Sequence, residues 1–182
     1  EDGYAQYHDT INGIEVTQES YAWSSPPHED YIIVKYTIKT LHFYNLFIGH
    51  RTDFDILGDH GGSSTDMGDF DSTRNLAYMW DTSSTLHGGV KILEGDYRGY
   101  RNTGWYSVDD LEKFQALSTP TTDPPTPYPS DWCFWLSVGP YLVEPDDSVI
   151  VAFAFLAGDN LADLQTNADT AQNKWDILVI NK

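Results

Sequence analysis

Residues 133–158 read CFWLSVGPYLVEPDDSVIVAFAFLAG, two runs of strand-forming residues (133–143 and 148–157) on either side of Glu144-Pro145-Asp146-Asp147, a turn sequence. The pattern predicts two antiparallel strands joined as a hairpin. Working outward, 31–41 (YIIVKYTIKTL) alternates as a strand with one buried face, and 43–56 (FYNLFIGHRTDFDI) is its expected hairpin partner. Before them, 11–23 (INGIEVTQESYAW) reads as a strand ended by Pro26-Pro27. Short strands are expected at 76–80 and 90–93, beyond a Gly/Asp-rich loop.

Two segments read as helices. In 107–117 (SVDDLEKFQAL) Ser107 is expected to cap the amide of Asp110, with Asp109 and Asp110 favouring the positive helix end. In 161–174, capped by Asp159 or Asn160, Leu161, Leu164, Ala168 and Ala171 fall on one face. Residues 177–180 (ILVI) read as a closing strand. The five prolines of 118–130 (STPTTDPPTPYPS) predict an extended, exposed loop. Short strands with hairpin connections and no βαβ alternation give the fold class: mainly β, one antiparallel β-sandwich over 1–182, jelly-roll or Ig-like, with two peripheral helices.

Charge narrows the partners. The 182 residues carry 28 acidic and 10 basic side chains, a formal net charge of −18. Nucleic acid and anionic membranes both require a basic face, so neither is expected as a partner. The surplus carboxylates either keep the chain soluble or bind cations. Cys133, the one cysteine, lies between Trp132 and Phe134 and reads as a buried structural thiol; there is no disulfide pair and no CxxC. No apolar run approaches the ~20 residues of a membrane span. Glu1-Asp2-Gly3 shows no signal-peptide character and reads as the start of a mature, exported chain.

Four stretches carry a resemblance: VTQESYAW (16–23), NLFIGHRTDFDI (45–56), DSTRNLAYMWD (71–81) and LSVGPYLVEPDDSVIVAFAFLAGDNLADLQTNADTAQNKW (136–175). Together they resemble a β-sandwich module of large secreted bacterial proteins, found beside subtilisin-like protease domains or type IX secretion sorting domains. The resemblance implies export to the cell surface or beyond and an accessory β-sandwich role. It implies no reaction.

Asp53, Asp55 and Asp59, followed by Asp66, Asp69 and Asp71, are the candidate metal ligands. Oxygen ligands at alternate positions suit calcium, although no EF-hand glycine or closing glutamate is present. His50 and His60 flank the loop and would suit a transition metal instead. Tyr97, Tyr100, Trp105 and Tyr106 are candidate sugar-stacking rings, with core burial as the alternative. Thr10, Ser72, Ser148 and Thr170 follow Asp in a loose O-glycosylation pattern, and Thr121, Thr122 and Thr126 lie in the Thr/Pro loop. Candidate assembly segments are 1–10, with Tyr4 and Tyr7, and 176–182, with Ile177, Leu178, Val179 and Ile180; either could add to a neighbour's sheet edge.

The histidines and serines occur in no recognised catalytic motif. The expectation is a non-enzymatic, secreted structural subunit that polymerises with itself into an extracellular filament or surface layer. A carbohydrate-binding accessory module is the alternative, and a hydrolase with an unrecognised acidic site the third reading.

Overall fold

The computed structural model describes residues 2–56, 65–104, 106 and 108–180. Its strands are β1 (Asp2–Asp9), β2 (Ile14–Ala22), β3 (Tyr31–Thr40), β4 (Tyr44–Thr52), β5 (Asp66–Asp71), β6 (Leu76–Asp81), β7 (His87–Glu94), β8 (Tyr97–Gly104), β9 (Trp132–Val143) and β10 (Ser148–Gly158). The helices are α1 (Asp110–Ser118) and α2 (Leu161–Ile180). A seven-stranded antiparallel sheet, β1-β2-β3-β10-β7-β6-β5, packs on a three-stranded one, β4-β9-β8. The mainly β sandwich with two outer helices is as expected.

Alternation sorts each strand's residues into layers. In β10, Val151 and Phe153 face the small sheet and meet Phe134, Leu136 and Val138 of β9. Ala152, Ala154 and Leu156 face the opposite way and pack under Leu164, Ala168, Ala171 and Trp175 of α2. Both faces of β10 are therefore dry, which explains its unbroken apolar run. Helix α1 covers the small sheet's outer face, where the Leu117 side chain lies against Gly49.

Several local expectations are corrected. β9 and β10 are not a hairpin: β9 is the central strand of the small sheet, hydrogen-bonded to β4 and β8, so neither of its edges is left for β10. The 144–147 turn instead crosses between sheets, anchored by Asp146 N–H to the Thr40 carbonyl (2.8 Å), with Asp146 at φ 66°. For the same reason β4 pairs with β9 rather than with β3. β5, which falls in the expected Gly/Asp-rich loop, and β8, where no strand is expected, are strands whose buried rows include Gly68 and Tyr100. Gly95, at φ 129°, lies in the link from β7 in one sheet to β8 in the other, a backbone region that side chains avoid.

The C-terminal strand is also corrected. Residues 177–180 continue α2, because the apolar spacing 161, 164, 168, 171 carries on through the buried Trp175 and half-buried Leu178. Asn160 caps this helix by accepting from Asp163 N–H (3.1 Å). In α1 the cap is Asp109 rather than Ser107: Asp109 accepts from Glu112 N–H (2.8 Å), and Glu112 accepts from Asp109 N–H (2.9 Å). Ser107 lies outside the described residues.

The proline-rich segment 119–130 is built into the sandwich, closing one side of both sheets. Along β8, Tyr100 N–H donates to Thr121 (2.8 Å) and Asp123 N–H to Tyr100 (3.0 Å). Along β5, Thr126 N–H donates to the Gly68 carbonyl (2.9 Å), Gly68 N–H to the Thr126 hydroxyl (2.8 Å), and Ser130 N–H to Asp66 (3.1 Å). The bonding uses residues between the prolines, which themselves have no N–H to give.

Candidate functional site

The opposite side of the large sheet is open. The small sheet covers β10, β7, β6 and β5, and reaches only as far as Tyr36 of β3. β1 and β2 therefore extend past it as a two-stranded flange: no residue of either strand is fully buried, although β2 is half-buried along its length and Tyr21 packs on the α2-side cluster. Their hairpin is set by Asp9, which accepts from Ile11 N–H (3.0 Å) and Asn12 N–H (3.1 Å), with Gly13 at φ 63°. Strand β1 pairs with β2 from Asp2↔Tyr21 to Asp9↔Ile14, and among the described residues nothing pairs with its other edge.

Edge strands usually carry lysine, proline or a bulge that discourages further pairing. β1, DGYAQYHD, has none of these. Tyr4 is 70% exposed and Tyr7 55%. Beside its turn, Ile11, Leu41 and Phe43 are also exposed. The remaining edge, β4, lies beside β3 and the β1–β2 turn: Tyr36 of β3 packs on His50 at 5.6 Å, and the Tyr44 hydroxyl donates to the carbonyl of Asn12 in that turn (2.6 Å). The N-terminal assembly segment thus lies on an available edge. The C-terminal one does not supply a strand; Ile177, Val179 and Ile180 are exposed on the last turns of α2.

Among the described residues, the candidate metal ligands do not all converge. Asp53 and Asp55 come together with Asp131, their carboxylate oxygens within 4.8 Å of one another, at the end of the sandwich where β4 exits. Burial, then repulsion from Asp55 and Asp131, raises the pKa of Asp53. Asp66 is buried on β5. Asp69 accepts from the Tyr78 hydroxyl (3.1 Å), and Asp71 pairs with Arg74 (2.9 Å). Both face the α2 side, because alternation separates them from Asp66. Asp59 and His60 lie outside the described residues. His50 is no ligand in this arrangement: it packs edge-on to Phe153 (4.7 Å) and Phe155 (5.0 Å), and burial lowers its pKa to about 4. Asp131 was missed because only long-range folding brings it to Asp53.

The sugar-stacking set is likewise divided. Tyr100 is fully buried, its ring stacked on Phe70 at 5.2 Å. Tyr97 stacks on the other side of that contact (4.9 Å from Phe70), and its hydroxyl is bonded to Thr122 (2.6 Å). Tyr106 is exposed, and Trp105 lies outside the described residues. Trp135 is buried, and Trp132 donates to the Tyr128 carbonyl (2.9 Å).

Among the glycosylation candidates, Thr10, Ser72, Ser148 and Thr122 are exposed and Thr121 is half-buried. The Thr170 hydroxyl donates to the Thr166 carbonyl (2.8 Å). Thr126 is 3% exposed and bonded to Gly68, so the loop's burial removes it from the set. Cys133 is buried, as expected, with Arg51 donating to its sulfur (3.2 Å).

No known protein family matches the chain, and no curated protein sequence does. Solved structures do. A bacterial glucoamylase complexed with acarbose superposes at TM-score 0.64 and 11% identity, over 93% of this chain and 24% of that one. A putative kojibiose phosphorylase from the human microbiome superposes at 0.50 and 6% identity, over 95% of this chain and 20% of that one. The chain thus spans about a quarter or less of the length of these proteins. The likeness is one of fold.

Proposed function

We propose that this chain is a non-catalytic, secreted structural module that associates with copies of itself through the β1 edge, as a subunit of an extracellular filament or surface assembly. The observation that carries the reading is the contrast between edges: β5 and β8 are capped by the proline-rich segment, while β1 offers its outer backbone groups unpaired among the described residues. Strand addition at such an edge draws its affinity from main-chain hydrogen bonds. The test is sedimentation over a concentration series, comparing the wild type with Ala5→Lys, which puts a charge in mid-edge. Association that rises with concentration in the wild type and is lost in the variant supports the proposal. A wild type that stays monomeric at every concentration overturns it.

A second reading is favoured by the superposition of nearly the whole chain on one quarter of the glucoamylase: an accessory module of a carbohydrate-processing assembly. Its natural site would be the 360 Å³ cleft lined by Phe54, Ile56, Leu86 and His87, with Asp30, Asp159 and Asp163 at its rim. Affinity electrophoresis in α-glucan gels would show retardation, relieved by Phe54→Ala, on this reading. Unretarded migration in every gel would count against it.

A further inference from the structure

The edge proposed above carries enough detail to define how a second copy would sit, and this inference rests on that reading. Residues opposite one another in an antiparallel pair share a face of the sheet. A two-fold axis joining two copies of one edge strand runs perpendicular to the sheet and therefore preserves the faces. In β1, Tyr4, Gln6 and His8 share the α2-side face through their partners Glu19, Thr17 and Glu15, while Gly3, Ala5 and Tyr7 share the other. Even positions must then meet even, and odd meet odd, so the axis lies midway between the two strands, level with a residue that faces its own copy. Centring on Ala5 or on Gln6 keeps the longest overlap within Asp2–Asp9; any other centre shortens it.

Side chains separate these two registers. On the α2-side face Lys39, Glu15 and His8 are consecutive cross-strand neighbours on β3, β2 and β1, with His8 Nδ1 3.6 Å from Glu15. Centred on Ala5, the next position in that row is Asp2 of the second copy, a carboxylate within reach of the His8 imidazole. The other face then sets Tyr7 against Gly3. A Cβ on Gly3 would stand 2.4 Å from the Ser20 hydroxyl, so this position has no side chain and receives cover from a facing ring. Centred on Gln6, Asp9 faces Gly3 instead, His8 faces Tyr4, and Asp2 falls opposite Thr10, beyond the strand.

We propose that two copies pair β1 with β1, antiparallel, about a two-fold axis at Ala5, joining the two flanges into one continuous sheet. The partner is a second copy of this chain, and the contact is isologous, closing on itself as a dimer. A longer filament would then be built from dimers, through a second contact elsewhere on the surface.

Single cysteines at Tyr4, Ala5, Gln6 and Tyr7, each in a Cys133→Ser background, test the register. Directly opposed Cα atoms in an antiparallel pair lie about 4.5–5.5 Å apart, within disulfide reach of about 4.4–6.8 Å. Ala5→Cys should cross-link to itself at least tenfold faster than the other three under mild oxidation, while Tyr4→Cys mixed with Gln6→Cys gives the heterodimer. A maximum at any other position overturns the register and leaves the edge reading standing. No cross-link at any position, together with a monomer in sedimentation, overturns both. Circular dichroism of each reduced variant establishes that it is folded.

Discussion

The two sides of the large sheet meet the same problem differently. At β5 the backbone is satisfied by Thr126 and Ser130 of a proline-rich segment, which also serves the β8 edge of the other sheet through Thr121 and Asp123. At β1 no described residue takes that part. An edge that must be kept from pairing can be covered or charged; the molecule covers one side and leaves the other, with its two tyrosines, in water. On the proposed reading, a neighbour's strand adds on the β1 side, where nothing described has first to be removed.

Breaking the capped side should have the largest effect on stability. Tyr100→Ala removes a fully buried ring stacked on Phe70, together with its hydroxyl bond to Asn102, at the β8 residue whose backbone holds the loop. Unfolding in urea should show a loss of about 3–5 kcal/mol, as for a large aromatic truncation in a core. Thr126→Val keeps the shape but leaves the Gly68 N–H without its acceptor. The expected loss is about 1–3 kcal/mol, the cost of an unmet buried donor, with association through β1 unchanged.

A pH series tests β4, whose His50 packs on Tyr36 of β3 and on Phe153 and Phe155 of β10. Burial lowers the pKa of His50 to about 4, below its ordinary 6.5, so the unfolded chain binds the additional proton between those values. The stabilisation is fully present above pH 6.5 and is lost as pH falls toward 4. In His50→Leu this part of the pH dependence should disappear from the melting curve. The smallest stability change is expected at the open edge: Ala5→Lys should shift unfolding by no more than about 0.5 kcal/mol, as at an ordinary surface position, while abolishing association.

These regions were also unequally legible in the sequence. The apolar faces of β10 and α2 follow from local periodicity, so the sandwich and both helices could be read directly. Which sheet a strand joins is not local, and β9–β10 was read as a hairpin because alternation names a face but not a partner. The C-terminal strand was a misreading of four strand-forming residues, although the helical spacing through Trp175 and Leu178 was there to follow. β5 and β8 were hidden by Gly, Asp and Arg, polar or small residues whose partners, such as Thr126 for Gly68 and Tyr78 for Asp69, come from elsewhere in the chain. The acidic set was legible only in part for the same physical reason: Asp53 and Asp55 do come together, but Asp69 and Asp71 point away from Asp66 on one strand, and Asp131 joins Asp53 only through the fold. By contrast, the 1–10 segment was legible as an edge candidate from its short run with Tyr4 and Tyr7, which carries no lysine, proline or bulge.

Amide hydrogen exchange at low and high protein concentration compares the two sides most directly. The account predicts that β5 and β8 amides bonded to the proline-rich segment exchange slowly at both concentrations. The outward amides of β1 should exchange rapidly when dilute and become protected as concentration rises. Outward β1 amides that exchange equally fast at every concentration would contradict the account, as would β1 amides already protected in the dilute monomer.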